Sequence, residues 1–266
     1  MNIKSFFSVF FHWLAFPFVA TSLGIKLFKS KSKADNYKHY PEDFSEIERY
    51  EYVWKMINKL FFISNKKIKV EGIEKIPTRP SLFICNHKSD IDPLLVLKIF
   101  SDNKEKLPIK PVFVAKKEIE EMKKIGSAAK LIDTIFLDRN NIREFVKVLE
   151  KEKNALTNNK SVVVFIEGTR IDKHEFGEFK QATLEPAYST MCPIIPVVIY
   201  GTLGLKKNGK DFKYKELNVK FLEPIKYKNY LHFSKQSVSD KLKESMEKEY
   251  NIFLENDLKN KKKKES

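Results

Sequence analysis

Short apolar runs alternate with segments of helical periodicity from about residue 68 onward. The runs predict strands at residues 68–71, 81–85, 111–115, 134–137, 161–166, 194–200 and 217–221. Several are uninterrupted, as expected for strands that are buried on both faces. Ile142, Phe145, Val146 and Leu149 predict a helix between two strands, and a last helix is expected at about residues 237–258. This alternation predicts a single α/β domain, with a largely buried mixed sheet of about seven strands flanked by helices.

The N-terminal segment has a different pattern. Residues 6–25 contain no Lys, Arg, Asp or Glu and are rich in Phe. A stretch of about 20 residues is long enough to span a bilayer. However, His12, Pro17 and the excess of aromatic residues suit the headgroup interface better, which favours a shallow monotopic anchor over a full span. The lysines that follow at once, from Lys26 to Lys33, predict a cytoplasmic location for the downstream chain.

A second helix is expected after a polar hinge at residues 30–40. Its apolar positions recur at helical spacing: Phe44, Ile47, Tyr50, Trp54, Ile57 and Phe61. This helix either packs on the domain core or touches the membrane beside the first segment, and the sequence leaves both open. The predicted organisation is a two-helix membrane-anchoring element at residues 1–64, an α/β domain at 65–258 and a basic tail at 259–266.

Composition and net charge limit the type of protein and the partners that are expected. The chain has 266 residues, 42% of them hydrophobic, which is enough for one substantial core. A net charge of +15 indicates polyanionic partners: nucleic acid, an anionic lipid surface or phosphorylated substrates. The aromatic residues are mostly apolar-periodic rather than interleaved with Lys and Arg, which disfavours nucleic acid. Cys85 and Cys192 have no zinc-type spacing, so neither a disulfide scaffold nor a structural metal is expected, and the compartment is predicted to be reducing.

The candidate chemistry centres on the stretch from Cys85 to Pro93. His87 follows a predicted strand, at the end where open α/β sheets bind their ligands. Asp92 and Pro93 are expected at the N-cap and first position of the next helix. An imidazole with a carboxylate on its second nitrogen is a general base of fixed tautomer, suited to deprotonating an alcohol. The alternative is that Asp92 only caps the helix and His87 is an ordinary loop histidine.

Further charged residues follow other predicted strands. They occur in Phe136-Leu137-Asp138-Arg139, in Phe165-Ile166-Glu167-Gly168-Thr169-Arg170 and at Lys116-Lys117. Together, Lys116, Arg139 and Arg170 would form a basic pocket for a phosphate monoester. The alternatives are an Asp138–Arg139 surface pair and a Glu167–Arg170 pair.

The order of these motifs resembles the four-block signature of the glycerophospholipid acyltransferases, and most closely that of the 1-acyl-glycerol-3-phosphate (lysophosphatidate) acyltransferases. The blocks are N-H-x-x-x-x-D, F-L-D-R, E-G-T-R and P-I-I-P-V, within residues 68–200. Ile166, Ile171 and Ala182 depart from the usual pattern. The resemblance implies a catalytic pair, His87 as general base and Asp92 as its orienting partner. It also implies an acceptor-binding set: Lys116, Arg139, Glu167, Gly168, Thr169 and Arg170.

The implied reaction is transfer of a fatty acyl group from an acyl thioester to the sn-2 hydroxyl of lysophosphatidate, which gives phosphatidic acid in phospholipid biosynthesis. The transfer is expected to be direct, because the chain has no G-x-S-x-G nucleophile motif. The chain also has no Walker loop or G-x-G-x-x-G, and no cofactor or metal is expected. The oxyanion donors are expected at the start of the Pro93 helix or in the Glu167-Gly168 turn.

The donor is acyl-CoA or an acyl carrier protein, since a basic surface suits both. The other expected partners are a membrane surface and anionic lipid, with the protein on the cytoplasmic face of the cell membrane and no role for nucleic acid. Two alternatives remain open. One is the same chemistry on another acceptor, either glycerol-3-phosphate, which Asp138 disfavours, or another lysophospholipid. The other is a non-catalytic basic protein that binds anionic lipid.

Overall fold

A computed structural model describes residues 3–138, 141–204 and 216–265. The chain divides into two compact units. The helical unit comprises residues 1–66 and 116–134, and the sheet unit comprises residues 67–115 and 135–266.

The sheet unit contains a mixed sheet in the order β1-β7-β6-β2-β5-β3-β4. Among the described residues its strands are β1 Lys67–Glu71, β2 Leu82–Cys85, β3 Val112–Lys116, β4 Ile135–Leu137, β5 Val162–Phe165, β6 Ile194–Tyr200 and β7 Glu216–Phe221. Each predicted strand is present, with its ends within one residue of the prediction. The α/β class and the seven-stranded mixed sheet are therefore confirmed.

The pairing of the central strands decides where functional residues meet. β2 runs parallel to both β5 and β6, and β5 runs parallel to β3, whereas β6 and β7 are antiparallel. Cys85 at the end of β2 is in register with Phe165 at the end of β5. The loops that follow these two strands therefore leave the sheet side by side. β2, β5 and β6 are buried throughout because their residues are apolar on both faces.

Helices of the sheet unit flank the strands. They are α3 Asp92–Asp102, α6 Ile142–Thr157, α7 Glu185–Thr190 and α8 Lys235–Glu265. One face of α8 packs on β6 in the main core, through Leu242, Met246 and Tyr250. The predicted last helix is thus present, and it continues through residues 259–265, where lysine is a good helix former.

The helical unit contains α1 Ile3–His39, α2 Glu46–Ser64, α4 Lys117–Glu120 and α5 Ile125–Leu131. The predicted hinge at residues 30–40 is wrong, because α1 continues without a break to His39. Ser30 and Ala34 lie one turn apart on α1, and both are buried. Their small side chains allow close packing, so the polar composition of this stretch does not mark a linker. In the parts of the chain that are described, no helix is both long and apolar enough to cross a bilayer.

α2 begins with a capping box formed by Ser45 and Glu48. It packs against α1 and α5 and buries much of its predicted apolar face. Arg49 is buried as well, and its guanidinium donates to the carboxylate of Asp133 and to the carbonyl of Leu131. The helix is therefore tied to the segment that follows α5, within the same unit.

Candidate active site

Asn86 anchors the loop that connects β2 to α3. Its side chain is fully buried and bonds with both backbone groups of Ile199 in β6. The Asn86 amide donates to the Ile199 carbonyl at 3.0 Å, and the Ile199 N–H donates to Asn86 Oδ1 at 2.7 Å. The start of the loop is thus fixed to the strand that lies beside β2.

His87 and Asp92 meet across this loop. His87 Nδ1 lies 3.0 Å from Asp92 Oδ2, which also accepts from the N–H of Lys88 at 2.7 Å and of Ser89 at 2.8 Å. The Asp92 side chain is fully buried, whereas that of His87 is 17% exposed. Because the carboxylate accepts, Nδ1 carries the proton, and the His87 nitrogen with an open lone pair is Nε2.

The predicted N-cap role of Asp92 is wrong. Asp92 is the first residue of α3, and Ile91 holds the N-cap position without a side-chain cap. Its carboxylate turns back toward the loop, where the imidazole and two backbone N–H groups occupy it. Asp92 therefore orders the His87 loop rather than the helix terminus.

Glu167 holds the other side of His87. Its side chain is fully buried; Oε1 accepts from the His87 N–H at 2.9 Å, and Oε2 accepts from the Gly177 N–H at 2.7 Å. The Ile171 N–H donates to the His87 carbonyl at 3.0 Å. The backbone of His87 is therefore bound on both sides by the segment that follows β5.

The Glu167–Arg170 ion pair, which was the alternative interpretation of this motif, does not form. Arg170 pairs instead with Asp90, at 2.6 Å between its guanidinium and Oδ2, and both side chains are substantially exposed. Arg170 thus lies against the loop that carries His87 and Asp92.

Lys88 is a residue of this site that the sequence did not indicate. Its side chain is fully buried, and Nζ donates to the Glu175 carbonyl at 2.6 Å and lies 3.8 Å from Glu167 Oε2. It also faces the rings of Phe176 and Tyr250, at 4.8 and 5.7 Å from their centroids. Burial lowers the pKa of Lys88, while the nearby carboxylates, Glu167 first, oppose that shift. No local pattern marks Lys88, because its partners come from distant parts of the chain.

The remaining predicted acceptor-binding residues are in less enclosed places. Gly168 has a φ of +66°, which suits glycine at this turn, and Thr169 is exposed beside it. Lys116 is exposed at the end of β3, in the helical unit. Arg139 lies outside the described residues. The acceptor-binding roles of this set stay predictions.

The Cys85 thiol is not suited to act as a nucleophile, and two of the candidate oxyanion-hole N–H groups already have hydrogen-bond partners. Burial, together with the charge of Asp92, raises the pKa of the Cys85 thiol well above its usual value, so the nucleophilic thiolate is disfavoured. The Asp92 N–H donates to the Ser89 carbonyl at 3.1 Å, and the Gly168 N–H donates to the Phe165 carbonyl at 2.9 Å. These two groups, one from each stretch proposed for the oxyanion hole, are already engaged.

Comparisons with known proteins identify the family of this chain. A family model described as acyltransferase matches residues 67–200. The chain therefore belongs to the acyltransferase family, as the order of its motifs predicts, and its assignment as an enzyme is confirmed.

Relatives within that family carry a more specific name. The chain is 35% identical over 200 residues to a probable 1-acyl-sn-glycerol-3-phosphate acyltransferase of Mycoplasma genitalium, covering 75% of this chain and 72% of the relative. A protein of the same name from Mycoplasma pneumoniae is 30% identical, covering 87% of this chain and 89% of the relative. The crystal structure of the 1-acyl-sn-glycerophosphate acyltransferase PlsC from Thermotoga maritima superposes with a TM-score of 0.66 at 25% identity, covering 92% and 95% of the two chains.

Proposed function

We propose that this enzyme transfers a fatty acyl group from an acyl thioester to the sn-2 hydroxyl of 1-acyl-glycerol-3-phosphate, giving phosphatidic acid. The observation that carries the proposal is the pairing of His87 Nδ1 with the buried Asp92 carboxylate at 3.0 Å. This pairing leaves Nε2 as the basic nitrogen. The names of the Mycoplasma relatives support lysophosphatidate as the acceptor.

The reaction proceeds without an acyl-enzyme. His87 Nε2 takes the proton of the acceptor hydroxyl as its oxygen attacks the thioester carbonyl, and Asp92 stabilises the imidazolium that forms. When the tetrahedral intermediate collapses, the C–S bond breaks and the imidazolium returns the proton to the departing thiolate. The neutral, buried Cys85 thiol supports direct transfer. No metal or cofactor is needed, because the thioester is already activated.

Acceptor binding depends on cations at the edge of the sheet. Arg170 is the best supported, because its contact with Asp90 places it against the His87 loop. A phosphate monoester offers a guanidinium a stronger partner than an exposed carboxylate does. The family resemblance also implies acceptor-binding roles for Lys116, Arg139, Gly168 and Thr169, and these roles are part of the proposal. Glu167 is better suited to positioning His87, since both of its oxygens bind backbone N–H groups.

The enzyme attaches to the membrane monotopically, through one face of α1. Four large apolar side chains on that face are more than half exposed: Leu14, Phe18, Ile25 and Phe28. An amphipathic helix of this kind lies in the interface and keeps an amphiphilic acceptor close to the enzyme. The basic residues that follow favour anionic lipid and the cytoplasmic face. The donor is acyl-CoA or an acyl carrier protein, both of which are acidic.

The test is acyl transfer from a radiolabelled C16 thioester to lysophosphatidate in detergent, with wild type, His87→Ala and His232→Ala. His232 is exposed and lies in the same unit, so it is a matched control. We expect product with wild type and the control, and a drop of about a hundredfold or more with His87→Ala. Activity that survives in His87→Ala would remove His87 from the mechanism.

The acceptor and donor are tested in the same assay. Lysophosphatidate, glycerol-3-phosphate and a choline lysophospholipid are each offered with acyl-CoA and with acyl carrier protein. Preference for glycerol-3-phosphate or the choline lipid would overturn the proposed acceptor. A wild type that is inactive with every acceptor and both donors would overturn the proposed reaction.

A further inference from the structure

The contacts between α1 and α2 define which faces of the two helices meet. Lys59 donates to the hydroxyl of Ser22, and the Tyr52 hydroxyl donates to the Lys26 carbonyl at 2.6 Å. Nearer the connection, the Lys33 ammonium lies 4.9 Å from the centroid of the Phe44 ring. Residues later in α1 therefore contact residues nearer the start of α2, so the two helices form an antiparallel hairpin.

Four lysines, Lys26 and Lys33 of α1 and Lys55 and Lys59 of α2, are called here the lysine seam, because the charges of the other three act on Lys26. The ammonium groups of Lys26 and Lys33 lie over the same Tyr52 ring, at 4.6 and 5.5 Å from its centroid. Partial burial lowers the pKa of Lys26, and the charges of neighbouring lysines, Lys55 first, lower it further. The seam therefore concentrates positive charge that repels itself.

The carboxylate of Glu48 does little to offset the charge of Lys33. Glu48 is bound to Ser45 through the capping box, and among the causes that lower the Glu48 pKa the charge of Lys33 is the smallest. The neighbouring charges that most affect the pKa of Lys26 are those of other lysines. An anion placed at the seam would relieve the repulsion between these lysines.

The position of the seam on α1 indicates where such an anion comes from. At 3.6 residues per turn, Lys26 and Lys33 lie on one flank of α1, between its buried and its exposed apolar faces. The buried face carries Leu23, Ser30 and Ala34, and the exposed face carries Leu14, Phe18, Ile25 and Phe28. If the exposed face enters a bilayer, the seam lies at the depth of the headgroups.

We propose that the lysine seam is a binding site for the phosphate monoester headgroup of a membrane lipid. The inference rests on the proposed membrane attachment, and the seam contains none of the residues of the candidate active site. A monoester carries up to two negative charges and three strong acceptor oxygens, whereas a diester carries one charge. Several converging ammonium groups therefore favour the monoester at equal overall surface charge.

The test is binding to phosphatidylcholine vesicles that contain either phosphatidate or phosphatidylglycerol at matched surface charge. The seam variant is Lys26→Gln/Lys55→Gln/Lys59→Gln. The control is Lys151→Gln/Lys226→Gln/Lys228→Gln, which removes three exposed lysines of the sheet unit. We expect wild type and control to prefer the phosphatidate vesicles. The seam variant should lose about tenfold to a hundredfold in affinity for them, together with that preference.

Two results would overturn the proposal. Equal losses in the seam variant and the control would show that binding depends only on net charge. A wild type without preference for phosphatidate at matched charge would show that there is no monoester site. A Lys26→Arg/Lys55→Arg/Lys59→Arg variant, which keeps the charges, should retain affinity and so exclude a general folding defect.

The source of the phosphate is tested separately. If millimolar inorganic phosphate binds the seam in solution, seen as phosphorus-31 line broadening that the seam variant lacks, the site takes free phosphate and the lipid assignment is wrong. Acyl transfer by the wild type in detergent is measured in parallel. It decides the proposed function without vesicles, so the two proposals fail independently.

Discussion

Replacing Glu167 with Gln tests whether this residue positions His87 or binds the acceptor. The two carboxylate oxygens of Glu167 each accept one backbone N–H, from His87 at 2.9 Å and from Gly177 at 2.7 Å. A glutamine has one oxygen and one NH₂ group, so it can accept only one of these two bonds, and the other N–H would face a donor. The substitution also removes the negative charge that lies 3.8 Å from Lys88.

The magnitude follows from burial. A hydrogen bond to a charged group contributes about 1.5–3 kcal/mol, and removing one partner of a buried ion pair costs about 3–5 kcal/mol. Both side chains are fully buried, so solvent does not screen the pair. The two effects describe the same contacts and are not additive. We therefore expect Glu167→Gln to lower the free energy of unfolding by about 3–5 kcal/mol.

The assays are urea unfolding and steady-state acyl transfer to lysophosphatidate. Because Glu167 binds the backbone of His87, we expect kcat to fall by about tenfold or more while KM changes little, as for a displaced general base. Glu178→Gln is the control, since Glu178 lies close along the chain and its exposed carboxylate pairs with Lys180. Its stability should change by less than about 0.5 kcal/mol.

Two outcomes would refute this reasoning. Unchanged unfolding with a raised KM would mean that Glu167 binds the acceptor, as the family resemblance implies. The second outcome concerns Lys88→Met combined with Glu167→Gln. Because each substitution breaks the same pair, the double variant should lose less stability than the two single losses together, and full additivity would show that Lys88 and Glu167 do not interact.

Three further substitutions test other parts of the sheet unit. Asp92→Asn should lower kcat by about a hundredfold or more in the acyl-transfer assay, because the neutral amide cannot stabilise the His87 imidazolium; a loss below about threefold would contradict the pairing. Asn86→Ala should lower the free energy of unfolding in urea by about 2–5 kcal/mol, because it leaves both buried backbone groups of Ile199 unpaired; a wild-type midpoint would contradict this. Burial raises the pKa of Glu152 to about 8, so the folded state holds a proton that the unfolded state releases, and wild-type stability should fall as pH rises from about 4.5 to about 8. Glu152→Gln should remove that decline in urea titrations at several pH values, at about 1.4 kcal/mol per pKa unit of the shift, and an equal decline in both proteins would place the cause elsewhere.

The parts of the fold that were predictable follow from apolar runs. β2, β5 and β6 are uninterrupted apolar stretches that are buried on both faces, so their position and length could be predicted. The His87–Asp92 pair was also predictable, because one short loop separates His87 from Asp92 at the start of α3. The polar composition of residues 30–40 wrongly predicted a hinge, because small side chains pack there within a continuous helix.

The contacts of Lys88 could not be predicted, because they depend on strand register. Cys85 pairs with Phe165, and this pairing brings the residues that follow β2 beside those that follow β5. Nothing near Lys88 in the sequence indicates that its ammonium will be buried against Glu167. The same register turns Glu167 toward backbone groups rather than toward Arg170.

The position of His87, the proposed general base, therefore depends on the whole loop rather than on Asp92 alone. Asn86 fixes the start of the loop to β6, and Glu167 binds the His87 N–H from the segment after β5. Asp92 binds the imidazole and, through the same oxygen, the backbone N–H groups of the two residues after His87. Three buried polar side chains from different elements thus restrain one short stretch of backbone. Since a buried polar group is costly unless it is paired, each of them stabilises one arrangement of His87 over any alternative. These pairings hold His87 in place before substrate arrives, as the proposed direct transfer without a covalent intermediate requires.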